Sequence, residues 1–178
     1  MARQKGWAVW ITGLPSSGKS TIAKALRRGL EEQGVSVQIL ESDRVRRVLT
    51  PRPSYTEGER ETFYSALVYI GELLVNNGVN VIFDATANRR HYREEARRRI
   101  ERFLEVYVKC PLKVCIARDA KGIYRRALKG EADTVPGLQA DYEEPIEPEV
   151  TTDSTKESPE EAARRIIKAL REKSFLKE

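Results

Sequence analysis

Residues 13 to 20 have the types and the spacing that bind the phosphates of a nucleoside triphosphate. They fit the P-loop pattern G-x-x-x-x-G-K-[ST] at every specified position. Glycine at both ends lets the backbone turn successive N–H groups towards phosphate oxygens. Lys19 can neutralise the β- and γ-phosphates, and the Ser20 hydroxyl can hold Mg²⁺. A glycine-rich turn without a ligand is the alternative. The expected ATP-binding residues are Gly13, Leu14, Pro15, Ser16, Ser17, Gly18, Lys19, Ser20 and Thr21.

Charged side chains also follow two later apolar segments. Asp43 and Arg46 come after the β-rich run at 35–40, and Asp84 comes directly after the run at 79–83. Because ligands of open α/β sheets bind at the carboxyl ends of the strands, Asp43 and Arg46 are expected on the same rim as the P-loop. Asp84 is either a Walker-B carboxylate that helps to hold Mg²⁺ or an N-cap or turn residue.

A third group of charges predicts a lid. Residues 118–126 contain the four cations Arg118, Lys121, Arg125 and Arg126. In a phosphotransferase, such a segment would bring cations over the phosphates and exclude water. A solvated surface helix is the alternative. Residues 130–148 lack periodicity and are rich in Gly, Pro and acids, so the whole lid and loop region is expected at about 118–148.

The apolar pattern between these groups predicts alternating strands and helices. Strands are expected near residues 7–11, 35–40, 79–83, 104–110 and 150–153, with helical periodicity between them. Thr56 with Glu59 and Ser158 with Glu161 predict capping boxes at two helix starts. We therefore expect an α/β protein with the three-layer P-loop nucleoside-kinase-like fold, in which a central five-stranded parallel sheet is flanked by helices. The length of 178 residues predicts one domain spanning 1–178.

Composition narrows the class of partner. A hydrophobic fraction of 40% and a charged fraction of 33% exclude a disordered chain. The net charge of +5 suits anionic partners such as nucleotides or nucleic acid. The densest basic run, Arg97 to Arg99, lies within a helical apolar stripe, so we interpret it as a solvated helix face rather than an RNA-binding patch. No nucleic acid partner is expected.

The cysteines and the apolar runs indicate a cytoplasmic protein. Cys110, Cys115 and the single histidine, His91, do not have the spacing of a zinc site. Both thiols are therefore expected to be buried packing residues in a reducing compartment. No apolar run reaches membrane-spanning length, and the N-terminus lacks the apolar region of a signal peptide. We expect no membrane association.

Beyond the P-loop, a series of short motifs resembles the adenylylsulfate kinase family. In chain order they are Leu40-x-x-Asp43-x-Val45-Arg46, Arg118-Asp119-x-Lys121-Gly122-x-Tyr124, Lys129-Gly130-Glu131, Pro136-Gly137-Leu138, Tyr142-Glu143-x-Pro145, Pro148-Glu149 and Ser158-Pro159-Glu160-Glu161. None is specific alone, but their ordered combination spans nearly the whole domain. This family phosphorylates adenosine 5′-phosphosulfate on its 3′-hydroxyl. The resemblance thus implies a homodimeric kinase that uses ATP and Mg²⁺ and acts on a small-molecule nucleotide.

The resemblance also implies roles for the matching positions. Lys19 and Asp43 would be catalytic, with Asp43 orienting the acceptor hydroxyl and accepting its proton. Arg46 and Arg60 would grip the phosphosulfate group with two guanidinium forks. Tyr55 stands where the family has a phenylalanine that stacks on the substrate adenine. The remaining substrate-binding candidates are Lys121 near the substrate, and Val135, Gly137 and Leu138 packed about the adenine.

Four stretches depart from the family's pattern. Glu41-Ser42-Asp43-Arg44 replaces Asp-Gly-Asp-Asn, Phe63 replaces an asparagine, and Val135 replaces a second stacking phenylalanine. The fourth stretch, 83–88, reads Phe-Asp-Ala-Thr-Ala-Asn in place of Phe-Ile-Ser-Pro-Tyr-Arg. Since the Asp-Ala-Thr form is shared with other small-molecule kinases, a P-loop kinase acting on a sugar acid, a nucleoside or an aminoacylated RNA is the alternative. A GTP-dependent switch is not expected, because the chain lacks the guanine-reading motif N-K-x-D.

Overall fold

The computed structural model describes residues 5–176. These residues form a five-stranded parallel sheet between two layers of helices. The strand order is β2-β3-β1-β4-β5, with β1 Ala8–Thr12, β2 Val37–Glu41, β3 Asn80–Asp84, β4 Phe103–Lys109 and β5 Val150–Asp153. The helices are α1 Lys19–Glu31, α2 Ser42–Leu49, α3 Glu57–Asn76, α4 Arg90–Arg99, α5 Leu112–Arg118, α6 Ile123–Leu128 and α7 Pro159–Glu172. This architecture confirms the predicted three-layer α/β fold. Between residues 5 and 176, no helix is both long enough and apolar enough to cross a membrane.

The central strand β1 is buried on both of its faces. Val9 and Ile11 pack into a core shared with α1 and α7, while Ala8 and Trp10 pack into a second core with α3 and α4. Trp10 also stacks on Phe83 of the neighbouring strand, with ring centroids 4.5 Å apart. A strand covered on both faces must be apolar at almost every position, which explains why β1 has no polar alternation.

The parallel direction places the carboxyl ends of β1, β2 and β3 side by side. In the register of the sheet, Asp84 lies opposite Ile11 on one side and opposite Glu41 on the other. The P-loop leaves the end of β1 at Thr12, and α2 leaves the end of β2 at Ser42. The predicted charged groups of β2 and β3 therefore share one rim with the phosphate cradle.

Both predicted capping boxes begin helices, but only one is complete. Ser158 and Glu161 exchange side-chain and backbone hydrogen bonds at the start of α7, as predicted. At the start of α3, the Thr56 hydroxyl accepts from the Glu59 N–H at 3.4 Å. The Glu59 carboxylate, however, turns to Ser54 and Arg46 rather than to Thr56. The prediction of a reciprocal box at Thr56 was wrong, because a stronger donor, the Arg46 guanidinium, competes for the carboxylate.

The structure accounts for the two cysteines and for the basic run Arg97 to Arg99 within the fold. Cys110 and Cys115 are free and buried, as predicted. Arg97 forms an ion pair with Glu149 at 2.7 Å, and Arg99 pairs with Glu72 at 2.6 Å. Two of the three arginines in the run are thus held by carboxylates of the same chain, in keeping with the interpretation as a helix face.

A buried ion pair fixes α4 against the sheet. The Arg93 side chain is 1% exposed, and its Nε donates to Glu105 Oε1 on β4 at 2.7 Å. Its remaining donors reach the backbone carbonyls of Ala87 and Glu143, the latter at 2.6 Å. One guanidinium therefore joins a helix, a strand and the two loops that border the rim of the sheet.

We predict that Arg93→Ala will lower the free energy of unfolding by about 3–5 kcal/mol, because it leaves the buried Glu105 without its closest counter-charge. Urea denaturation followed by circular dichroism measures this loss. Arg98→Ala is the matched control, since Arg98 is exposed on the same helix and its removal should change stability by less than about 0.5 kcal/mol. Equal effects of the two substitutions would contradict a structural role for the pair.

Candidate active site

The P-loop wraps closely around the start of α1. Residues 13–18 connect β1 to α1, and Lys19, Ser20 and Thr21 form the first turn of that helix. A Cβ at position 13 would lie 2.6 Å from the Val108 carbonyl oxygen, so this close approach requires glycine. The Tyr124 hydroxyl donates to the Pro15 carbonyl at 3.0 Å and holds the loop from the side of α6. All of the predicted ATP-binding residues thus lie in one continuous turn.

Lys19 is buried within this turn. Its Nζ donates to the Gly13 and Leu14 carbonyls at 3.1 and 2.8 Å, and the residue is 8% exposed. Burial lowers the pKa of Lys19, and the nearby carboxylates of Asp84 and Asp43 oppose that shift. The ammonium therefore lies between the P-loop backbone and the carboxylates of the rim, where a phosphate anion would be attracted.

Asp84 lies at the base of the site. It is the last residue of β3 and is 4% exposed, and α4 starts only at Arg90, so Asp84 does not cap that helix. Burial raises the pKa of Asp84, while the charge of Lys19 and the hydroxyl of Ser20 oppose the rise. Its position at the strand end, beside the first turn of α1, is the one that the Walker-B alternative requires.

Ser20 and Asp84 offer oxygen atoms that suit Mg²⁺. This ion prefers oxygen ligands and often takes only one or two from the protein, with phosphates and waters completing its shell. Across residues 5–176, no group of three or more His, Cys, Asp or Glu side chains could hold a metal ion by itself. The donors present therefore fit a magnesium ion that arrives with a nucleotide.

Lys121 reaches from the predicted lid to the rim of the sheet. Its Nζ forms an ion pair with Asp43 Oδ2 and lies 3.8 Å from Glu41 Oε1. Burial alone would lower the pKa of Lys121, but the hydrogen bond and the charge of Asp43 raise it. The structure thus brings Lys121 next to Asp43, which lies 78 positions earlier in the chain, and close to Glu41.

Two arginines and a tyrosine gather beside α3, and we call Arg46, Tyr55 and Arg60 the arginine cluster. Arg46 is 7% exposed, and its guanidinium carbon lies 3.7 Å from the centroid of the Phe63 ring. The ring of Tyr55 lies 5.0 Å from the Arg46 guanidinium carbon and 5.6 Å from that of Arg60. The predicted phosphosulfate-binding arginines are therefore neighbours, with the predicted stacking ring between them.

Arg60 is held by three acceptors of the protein. It donates to the Tyr55 carbonyl at 2.9 Å, to the Asn88 side chain at 3.0 Å and to the Thr134 carbonyl at 2.7 Å. Asn88 itself donates to the Asp141 carbonyl at 3.0 Å. These bonds join the start of α3 to the segment after β3 and to the loop at 130–148.

The segment from Val135 to Leu138 packs on the P-loop. Val135 is buried in a small apolar cluster, and Leu138 and Leu14 lie at its edge. Gly137 has φ +85°, and a Cβ there would meet Leu14 Cδ2 at 2.6 Å. Leu14, Gly137 and Leu138 line an open cleft of about 380 Å³ that continues to Tyr142. Of the predicted base-packing residues, Gly137 and Leu138 thus line one wall beside the phosphate cradle, whereas Val135 is buried in the apolar cluster.

The two lid arginines lie in different surroundings. Arg118 donates to the Ser154 carbonyl at 2.9 Å and to the Ser17 carbonyl at 3.4 Å, so it touches the P-loop from the side of β5. Arg125 is exposed on α6, and its backbone N–H donates to Asp119. Within the described residues, the side chain of Arg125 makes no hydrogen bond or ion pair that joins it to the P-loop.

Sequence reasoning did not assign a role in the site to four residues that organise it. Glu59 was predicted only as part of a capping box, and Asn88 was noted only as part of a departure from the family's pattern. Arg93 and Tyr124 were not predicted to be site residues. Their partners are distant in sequence, such as Asn88 for Arg60 and Pro15 for Tyr124. The buried Arg93 carries no local signal that separates it from the exposed arginines of the same helix.

Comparison with known proteins identifies relatives over nearly the whole chain. The family model described as adenylylsulphate kinase matches residues 5–153. A probable adenylyl-sulfate kinase of Pyrococcus abyssi is 39% identical over 97% of this chain and 99% of its own. The adenylyl-sulfate kinase of Halothermothrix orenii is 38% identical over 99% of this chain and 95% of its own.

A solved structure shares the fold over nearly the whole chain. The Mycobacterium tuberculosis APS kinase, in complex with AMPPNP and APS, is 31% identical and has a TM-score of 0.88, covering 94% of this chain and 98% of its own. These matches confirm the resemblance found in the short motifs, and the TM-score shows that the two chains share their fold. The chain belongs to the adenylylsulphate kinase family.

Proposed function

We propose that this protein transfers the γ-phosphoryl group of ATP to the 3′-hydroxyl of adenosine 5′-phosphosulfate (APS), giving 3′-phosphoadenosine 5′-phosphosulfate and ADP. The observation that carries the proposal is the meeting of three groups on one rim in a member of this family. These groups are the P-loop with Lys19, the Asp43–Lys121 pair, and the arginine cluster.

The proposed roles follow from charge and position. Lys19 and the P-loop amides hold the phosphates of ATP, and the arginine cluster binds the phosphosulfate of the acceptor. Asp43 orients the 3′-hydroxyl and takes its proton. As the bond between the 3′-oxygen and the γ-phosphorus forms, the bond to the β,γ-bridging oxygen breaks and ADP leaves. Positioning and charge stabilisation then provide most of the rate acceleration.

The cofactor, the lid and the assembly complete the proposal. Mg²⁺ held by Ser20 and Asp84 would neutralise charge on the β- and γ-phosphates. Lys121, Arg118 and Arg125 belong to the lid, and Val135, Gly137 and Leu138 face the base of a nucleotide. We also propose that the enzyme is a homodimer that acts in the cytoplasm, as the family resemblance and the two free, buried thiols suggest.

A P-loop kinase for another small acceptor is the competing proposal. Phe63 and the segment 83–88 favour it, because both lie beside the arginine cluster and differ from the family's pattern. Assaying a panel of acceptors decides between APS and another small acceptor.

We predict that incubation with ATP, Mg²⁺ and APS will yield the 3′-phosphorylated nucleotide, which chromatography of the products detects. Lys19→Ala should lose on the order of 10²–10³-fold in turnover, because it removes a cation aimed at the transferred phosphate. Lys24→Ala, on the exposed side of α1, is the matched control.

A panel of other acceptors includes a sugar acid, a nucleoside and an aminoacylated RNA. Preferential phosphorylation of one of these over APS would refute the proposed acceptor.

We predict that Asp84→Asn will raise the Mg²⁺ concentration needed for half-maximal activity by roughly 10–100-fold, because the amide is a weaker oxygen donor than the carboxylate. The rise in Tm that Mg²⁺ adds in the presence of ATP should shrink in parallel. Asp133→Asn replaces an exposed carboxylate of the loop and serves as control. An unchanged Mg²⁺ titration would show that Asp84 does not support the metal.

We predict that Arg60→Ala will raise the KM for APS roughly 10–100-fold and leave the KM for ATP within about twofold, since Arg60 would bind the acceptor rather than ATP and its three protein acceptors lie outside the P-loop. Initial rates with each substrate varied in turn separate the two constants. Arg98→Ala controls for the loss of a positive charge at a distance. A comparable rise in both constants would place Arg60 outside the acceptor site.

A further inference from the structure

Glu59 lies in the first turn of α3, and both of its carboxylate oxygens are occupied. Oε1 accepts from Arg46 Nη1 at 2.8 Å. Oε2 accepts from the Ser54 hydroxyl at 2.7 Å and also from the Ser54 backbone N–H. One carboxylate therefore connects α2, which carries Arg46, with the turn that precedes α3.

Arg46 depends on this carboxylate for its counter-charge. The side chain of Arg46 is 9% exposed, and its guanidinium lies against the Phe63 ring. Burying a guanidinium is costly unless a charged partner and hydrogen bonds compensate it. The face on Phe63 and the bond to Glu59 together fix the direction in which the remaining Arg46 donors point.

The same carboxylate fixes the turn that carries Tyr55. Tyr55 has φ +55°, a backbone conformation that a tyrosine adopts at a cost. Ser54, the residue before it, is tied to Glu59, and the Tyr55 carbonyl accepts from Arg60 Nε at 2.9 Å. By holding Ser54, Glu59 therefore fixes the position of the Tyr55 ring and of the Tyr55 carbonyl, which is one of the three acceptors of Arg60.

Glu59 remains charged at neutral pH. Burial alone would raise the pKa of Glu59, but the hydrogen bonds from Ser54 and the charge of Arg46 lower it below its ordinary value. The ionised form is the one that can accept from both partners at once.

We propose that Glu59 is the positioning residue of the acceptor site, which holds Arg46, Tyr55 and Arg60 in one arrangement without touching the substrate itself. This inference rests on the proposed function and adds to it the residue on which acceptor recognition depends. The inference also explains why a carboxylate lies within a cluster of arginines that is to bind an anion. Glu59 orders the arginine cluster, although it cancels part of the cluster's positive charge.

Glu59→Gln tests the proposal because an amide has only one accepting oxygen. Its NH₂ group would face a donor on either Arg46 or Ser54, so one of the two connections must break. We expect the KM for APS to rise at least about tenfold while the KM for ATP stays within about twofold. Because the neutral amide is in either orientation a weaker acceptor than the carboxylate, hydrogen exchange of the unliganded protein should show faster exchange of the Ser54 amide.

Glu57→Gln is the matched control, since Glu57 is exposed in the same turn of α3. It should leave both KM values and the exchange of Ser54 unchanged. An unchanged KM for APS in Glu59→Gln would overturn the inference, and so would an equal rise in both KM values with a lowered Tm. If the wild-type protein gives no product from APS, the proposed function fails. If it gives product and Glu59→Gln behaves like wild type, only the inference fails.

A double substitution tests whether Glu59 acts through Arg46. In the Arg46→Ala background, Glu59→Gln should raise the KM for APS by a smaller factor than it does in the wild type. Equal factors in the two backgrounds would mean that Glu59 does not act through Arg46, and this would overturn the proposal.

Discussion

The common direction of the five strands is the constraint on which the site depends. Because β1, β2 and β3 all end at the same rim, the P-loop, Asp43 and Asp84 become neighbours although the sequence separates them widely. β1 is the central strand, because it pairs with β3 on one side and with β4 on the other, and it is buried on both faces. The loops on that rim can then differ in sequence without moving the phosphate cradle.

Charge balance organises what the strands bring together. Lys121 pairs with Asp43 and Arg46 pairs with Glu59, whereas Lys19 and Arg60 are held by neutral acceptors. Beside the rim, Arg93 and Glu105 form a further pair that holds the loops that follow β3 and precede β5. A site intended for two polyanions must hold many like charges close together, and these carboxylates keep the guanidinium and ammonium groups in place.

The fold and the position of the P-loop could be predicted because their signals are local. The P-loop is contiguous, the strands and helices have their own periodicities, and the box of Ser158 and Glu161 spans four residues. The roles of Glu59 and Asn88 could not be predicted, because their partners lie in other elements. Glu59 satisfied a local pattern at Thr56, yet the folded chain offered it the guanidinium of Arg46, and the stronger interaction prevailed.

The contact between Gly137 and Leu14 has an evolutionary consequence. The loop at 130–148 and the P-loop approach so closely that even a methyl group at position 137 would overlap with the leucine. A side chain at 137 would require both a shift of Leu14 and a backbone that keeps φ +85°, so descendants of this chain should retain glycine there. The close fit of a distant loop on the nucleotide-binding turn thus constrains the loop's sequence without any shared chemistry.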